Sequence, residues 1–222
     1  MSELAELSVE PIPAPPTQKG LAMRERLLKA AARAFTRRGY ELTRVEDIAK
    51  AARTSYGNFY RHFRNKDEVL MAVLRPLLDD VYVSSKRRAG PSARLTEDEF
   101  VANTVTFLRI YARHRELLRV MREAAARGEK ASFYSMWIGE RERFVRRTTA
   151  WLVRIRAAGA IDADIDPEVA AETLGALTEQ LAYVKLGLAE ETPSDAEIER
   201  LGAHSARIWY RGVFGHQRQT SP

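Results

Sequence analysis

Apolar residues recur at helical spacing along most of the chain, and no stretch alternates with the period of two that a half-buried strand needs. The pattern predicts an all-α protein. Leu27, Leu28, Ala31, Ala34 and Phe35 mark helix 1, from about Leu21 to Arg38, with Gly39 as its stop. Helix 2 is expected from Val45 to Ala51, with Thr43 as cap and Glu46 completing a capping box. Helix 3 is expected from Ser55 to Phe63, capped by Thr54 or Ser55. Asn65 should cap helix 4, from Lys66 to about Lys86, with Asp67 and Glu68 in its first turn and Pro76 kinking or splitting it. After a linker at 89–95, Thr96 and Glu99 form a second capping box that opens helix 5, to about Ala112. Helix 6 should run from Arg115 to Arg127, where Gly128 breaks it, and helix 7 from Ser132 to Ala158, ended by Gly159. Helix 8 should open at Asp166-Pro167-Glu168 and reach Leu188; helix 9 should open at Pro193-Ser194-Asp195 and reach Val213.

The pattern changes character between Thr43 and Lys66. Val45, Ile48, Ala49, Phe59 and Phe63 have the spacing to pack two short helices on each other and on helix 1. The second of them then presents Ser55, Tyr56, Asn58, Arg61 and His62 outward, the form of a helix-turn-helix whose second helix enters a major groove. Tyr56 suits thymine methyls or a phosphate, and Asn58 a base edge or a phosphate. Gly57 permits close approach. Tyr60, His62 and Lys66 suit phosphate oxygens, which set register without reading sequence. Thr43 and Arg44 stand at a helix start, where backbone N–H groups attract phosphate.

Charge sharpens this reading. The net +6 is concentrated: residues 19–66 hold 13 Lys and Arg against 4 Asp and Glu, while residues 67–222 hold 23 of each sign. A basic field focused on the helix-turn-helix favours steered encounter with phosphates; a solvated basic helix face is the plain alternative.

The segments Leu27-Leu28-Lys29-Ala30-Ala31-Ala32-Arg33-Ala34-Phe35, Gly39-Tyr40, Thr43, Val45-Glu46-Asp47-Ile48-Ala49 and Ser55 to Lys66 closely resemble the N-terminal domain of TetR-family transcriptional regulators, over about residues 21–70. The resemblance implies a homodimer, usually a repressor of a palindromic operator in double-stranded DNA, released by a small-molecule effector. One departure stands in the turn, where the family usually has Gly and a small aliphatic residue and this chain has Arg53 and Thr54. Left-handed backbone costs Arg more than Gly, so the turn is expected to be less stable or distorted; Arg53 gains a route to a phosphate in exchange.

The chain then divides into an N-terminal arm at 1–19, rich in Pro and expected to be disordered, a DNA-binding domain at 20–66, and a ligand-binding and dimerisation domain at 67–222. In the last, helix 7 carries Phe133, Trp137, Glu140, Phe144, Thr148 and Trp151 on one stripe; helix 5 adds Thr104, Phe107 and Tyr111, and helix 6 adds Met121. An aromatic face interrupted by a few polar groups fits a site for a largely apolar ligand, and it fits an ordinary bundle core in which Glu140 meets an Arg. Gly175 on helix 8 and Gly202, Ser205, Trp209 and Gly212 on helix 9 place small residues beside large ones. In the TetR family the last two helices form the dimer interface, so these residues are expected there.

Other classes find little support. There is no Cys, hence no disulfide or thiolate site, and His62, His114, His204 and His216 have no metal-ligand spacing. No phosphate-binding Gly-rich loop or nucleophile elbow occurs, so no catalytic residue, cofactor or metal is expected. No apolar run approaches the ~18 residues of a membrane span. With the N-terminus lacking a signal-peptide pattern, the expectation is a cytoplasmic protein without a membrane partner. The remaining alternative is a ligand-independent, DNA-organising dimer with a filled core.

Overall fold

The computed structural model describes residues 13, 15, 17–84, 95–126 and 132–215, apart from the side chains at 82–84, 132, 133, 136 and 137. Among them there are helices and no strands: α1 (Gln18–Arg38), α2 (Val45–Ala51), α3 (Tyr56–Phe59), α4 (Lys66–Ser84), α5 (Glu97–Arg113), α6 (Arg115–Ala125), α7 (Ser132–Ala157), α8 (Pro167–Ala182), a π-helical turn at Tyr183–Gly187, and α9 (Asp195–Phe214). Most of the expected arm at 1–19, most of the linker and the far ends of helices 4 and 6 lie outside the described residues; the end of the arm is helical instead, with Thr17 capping α1 and Gln18 and Lys19 in its first turn.

The chain forms two compact units that divide after Pro76. In the first, Leu27, Ala31 and Phe35 of α1 close over Ile48, Phe59, Phe63, Leu70 and Leu74, all of them fully or almost fully buried. The local signals act as the sequence predicts at most helix ends. Asn65 accepts from the Glu68 N–H (2.8 Å), and Thr96 and Glu99 exchange backbone bonds in a capping box (3.2 and 2.9 Å). Asp166 and Ser194 cap α8 and α9. Gly39 and Gly159 stand beyond their helices with φ of 72° and 70°.

Four expectations are corrected. Arg44, not Thr43, is the N-cap of α2, with its N–H on Asp47 (3.3 Å). Thr43 is instead buried, donating to Gly39 O (2.7 Å) and Ala34 O, so it ties the loop to the end of α1. Helix 3 is shorter than expected because two bonds after Phe59 tighten to i→i−3, with Arg61 N–H on Asn58 O and His62 N–H on Phe59 O, before the Phe63 N–H returns to Phe59 O. Helix 8 does not run unbroken to Leu188. It widens into the π-helical turn, closed by the Leu188 N–H on Tyr183 O (2.9 Å). Pro76 neither splits nor ends α4, which passes through it as one helix.

In the second unit α5 packs chiefly on α9, and α7 on α8. Phe100 stacks on Trp209 at 5.0 Å, Tyr210 stacks on Phe214 at 4.4 Å, and Trp151, Leu152 and Ile155 complete the core. Two of its aromatic residues also bond across the core: Tyr210 donates to Leu95 O (2.7 Å) and Trp209 to Ala170 O (3.1 Å).

Candidate nucleic-acid interface and effector cavity

The turn between α2 and α3 is a Schellman closure. Arg53 has φ of 55°; its N–H donates to Lys50 O and the Thr54 N–H to Ala49 O, both at 3.0 Å. The turn therefore keeps its hydrogen bonds with Arg in the glycine position. Ser55 then caps α3 by accepting from the Asn58 N–H (3.2 Å).

The outward face of this motif carries Arg44, Arg53, Ser55, Tyr56, Gly57, Tyr60 and Arg61, all exposed. A Cβ on Gly57 would meet nothing within 4 Å, so the backbone there is open to close approach. The Tyr56 and Tyr60 hydroxyls bond each other at 2.9 Å with their rings 4.9 Å apart. That bond raises the Tyr60 pKa above the ordinary phenol value. Asn58 is half-buried and donates through its amide to Thr54 Oγ1 (2.8 Å), which fixes both side chains beside the exposed row.

Three expected phosphate contacts are placed elsewhere. Thr43 is 1% exposed and faces inward. His62 is 5% exposed, its Nδ1 has no hydrogen-bond partner among the described residues, and burial lowers its pKa, with Arg24 and Arg61 adding to the effect. Its main chain is held by Arg24, whose guanidinium donates to His62 O and lies 4.2 Å from the Phe63 ring. Lys66 turns its ammonium onto Tyr40 O (2.8 Å) and over the Tyr40 ring (4.0 Å), fastening the α1–α2 loop. Their residue types suit phosphate, but packing takes them first.

The second unit holds a partly open cavity of about 480 Å3. Its lining includes Thr104, Phe107, Tyr111, Met121, Glu140, Phe144, Thr148 and Trp151, which the apolar stripes placed there. The side chains of Phe133 and Trp137 lie outside the described residues. Sequence reading missed Asn103, Arg122, Arg141, Arg147, Arg154 and Thr178, which also line the cavity. Their signal was weak, because long Arg side chains on a helix flank normally read as solvated. Glu140 does meet an Arg: Arg143 bonds it at 2.6 and 2.9 Å. Thr104 and Thr178 return their hydroxyls to their own helices, on Phe100 O and Leu174 O.

The interface residues need the largest correction. Gly202 faces α5 of its own chain, where an added Cβ would come within 2.8 Å of Val105 Cγ2 and 3.1 Å of Val105 Cα. Ser205 is buried and donates to Gly202 O (3.2 Å). Trp209 is spent on Phe100 and Ala170, and Gly175 faces Phe144. These small residues serve close crossings within one chain. Gly212 alone of the set lies exposed.

A helix-turn-helix with an exposed aromatic and basic row, followed by a larger helical unit around a cavity, is the layout of a DNA-binding regulator that carries its own sensor domain. Comparison with known proteins gives the family. The model for bacterial regulatory proteins of the tetR family matches residues 27–73, and that for the C-terminal domain of the transcriptional regulator EthR matches residues 101–215. The transcriptional regulator AcuR of Cereibacter sphaeroides is 30% identical over 163 residues, 66% of this chain and 68% of AcuR. The transcriptional repressor KstR2 of Rhodococcus jostii is 35% identical over 106 residues, 47% of this chain and 51% of KstR2. Among solved structures, the SmeT–triclosan complex superposes with a TM-score of 0.62 at 22% identity, covering 87% of this chain and 92% of SmeT. The chain belongs to the TetR family of DNA-binding transcriptional regulators, not to an enzyme family. Among the described residues no helix is long and apolar enough to cross a membrane.

Proposed function

We propose that this protein is a homodimeric repressor that binds a palindromic operator through the α2–α3 face and releases it when a small, largely apolar effector enters the cavity of the second unit. The observation that carries the reading is the cavity of about 480 Å3 among aromatic side chains, in a chain whose other half is a DNA-binding domain. Its size lies within the range of small-molecule sites. The SmeT complex with triclosan supports the same reading from a protein of like fold. A cytoplasmic location follows from the proposed role on DNA.

The dimer contact is assigned to the outward faces of α8 and α9. There Val169 and Ile208 are 62% and 68% exposed, with Thr173, Ala176, His204 and Gly212 beside them, also exposed. Exposed apolar residues among small ones on adjoining helices suit a self-complementary patch. α4 is the helix shared by both units: Lys66 begins it beside the DNA-reading motif and Leu78 and Val81 line the cavity. An effector that prefers one state of α4 by about 100-fold shifts the operator equilibrium by about 2.7 kcal/mol.

Native mass spectrometry of the protein purified without refolding tests this. The expected species is a dimer with a small-molecule adduct that disappears when operator duplex binds. Thr104→Trp, which fills the cavity, should lose the adduct and keep the duplex. A bare dimer whose duplex affinity is unchanged by any cell extract would favour the ligand-independent alternative.

A further inference from the structure

The cavity's polar groups say what an effector must carry, given the reading above that an effector binds there. Tyr111 is 6% exposed and lines the cavity, yet its hydroxyl has no hydrogen-bond partner among the described residues. Its polar surroundings are charged: Arg122 and Glu179 act on the phenol from nearby. Buried hydroxyls are normally bonded, because leaving one unpaired forfeits the bonds it makes in water. An unused donor on a cavity wall is open to an acceptor that a ligand brings.

Arg122 stands beside it. Its guanidinium stacks 4.0 Å from the Tyr183 ring and donates to Gln180 Oε1 at 2.8 Å. Both partners are neutral, so its charge is held in place but not cancelled. Two charged lining residues of α7 differ in this respect: Glu140 is bonded to Arg143 and Arg141 to Glu172. Around these two groups the wall is apolar and aromatic, with Phe107, Leu118 and Met121.

We infer that the effector is an apolar-tailed carboxylic acid whose carboxylate accepts from the Tyr111 hydroxyl and pairs with the Arg122 guanidinium, its tail lying along Phe107, Phe144 and Trp151. Two donors, one of them charged, suit a carboxylate better than an alcohol or ester, because charge-assisted hydrogen bonds are about twice as strong as neutral ones. Burial raises the Tyr111 pKa to about 12, which keeps the phenol a donor throughout the working pH range. The Glu179 carboxylate argues for the opposite charge, an amine, and the test includes one.

The test is isothermal titration of the full-length protein with decanoate, decanol and decylamine, which share a tail and differ in charge. Decanoate should bind about tenfold or more tightly than the other two. Arg122→Gln should erase that preference while leaving decanol affinity within about twofold. Tyr111→Phe should weaken decanoate by about threefold to tenfold without lowering the melting temperature of the empty protein, since the hydroxyl it removes bonds nothing among the described residues. Equal or tighter binding of decanol or decylamine overturns the inference, as does an Arg122→Gln protein that holds decanoate as well as the wild type. If decanol binds best and releases operator, the carboxylate is wrong and effector control stands. If none of the three binds, the inference fails, and the adduct measured by native mass spectrometry decides effector control separately.

Discussion

Arg53 shows how one residue can keep a turn while straining it. A left-handed backbone costs a non-Gly residue roughly 1–2 kcal/mol, and Arg53 takes it at φ of 55° with both closing bonds intact. Arg53→Gly should therefore raise unfolding stability by about 1 kcal/mol, read by chemical denaturation. If Arg53 meets a phosphate, the same variant loses operator affinity and the salt dependence becomes shallower; equal affinity would leave Arg53 with no role on DNA. His62 gives a second prediction. Its folded pKa lies below the ordinary 6.5 because burial opposes the charged form. The unfolded chain then takes up the proton first, so stability held above pH about 6.5 is lost as pH falls through the folded value. Thermal unfolding should show this acid-side loss, and His62→Gln should lessen it. An unchanged pH slope in the variant would mean that protonation is accommodated without cost. Residue types in this motif were legible in the sequence, but their directions were not. Thr43, His62 and Lys66 have the chemistry of phosphate ligands, and only three-dimensional packing shows them turned inward.

At the scale of elements, caps were the most legible feature, because a Thr-x-x-Glu or Asp-Pro-Glu signal acts within one turn of chain. The α8–π junction was not legible, since it depends on a distant side chain. Arg115 donates to Ala189 O (2.7 Å), Glu191 O (3.0 Å), Glu190 O (3.2 Å) and Leu186 O (3.4 Å), gathering one carbonyl of the π-helical turn and three of the segment after it. Arg115→Met should cost about 2–3 kcal/mol and speed amide exchange over 186–191 specifically; exchange that stays slow there would show that the segment holds without the clamp. The small residues of α9 were legible as a packing signal and not as to partner, because a close helix crossing looks the same within a chain as between chains. Gly202 settles its own case. Gly202→Val should destabilise the second unit by about 1–3 kcal/mol through overlap with Val105, with loss of folded protein rather than formation of folded monomer.

For the whole molecule, two units with separate cores divide the work: one presents an aromatic and basic row, the other holds a cavity. The all-α class and the helix-turn-helix were readable because long-period apolar patterning and a concentrated +9 field are properties of sequence alone. The cavity's arginines and the outward faces of α8 and α9 required the fold. An Ile208→Glu substitution on the exposed patch should yield folded monomers that bind operator far more weakly, as sedimentation would register; an intact dimer would move the contact away from α9. The central claim is that the α2–α3 row reads a two-fold symmetric DNA site. Selecting duplexes from a random pool with the wild-type protein, then titrating the enriched sequence at ~50 and ~200 mM salt, tests it directly. The account predicts an inverted repeat with half-sites about one helical turn apart or a small multiple of it, and affinity that falls by orders of magnitude over that salt range. An enriched sequence without two-fold symmetry, or binding indifferent to salt, would contradict it.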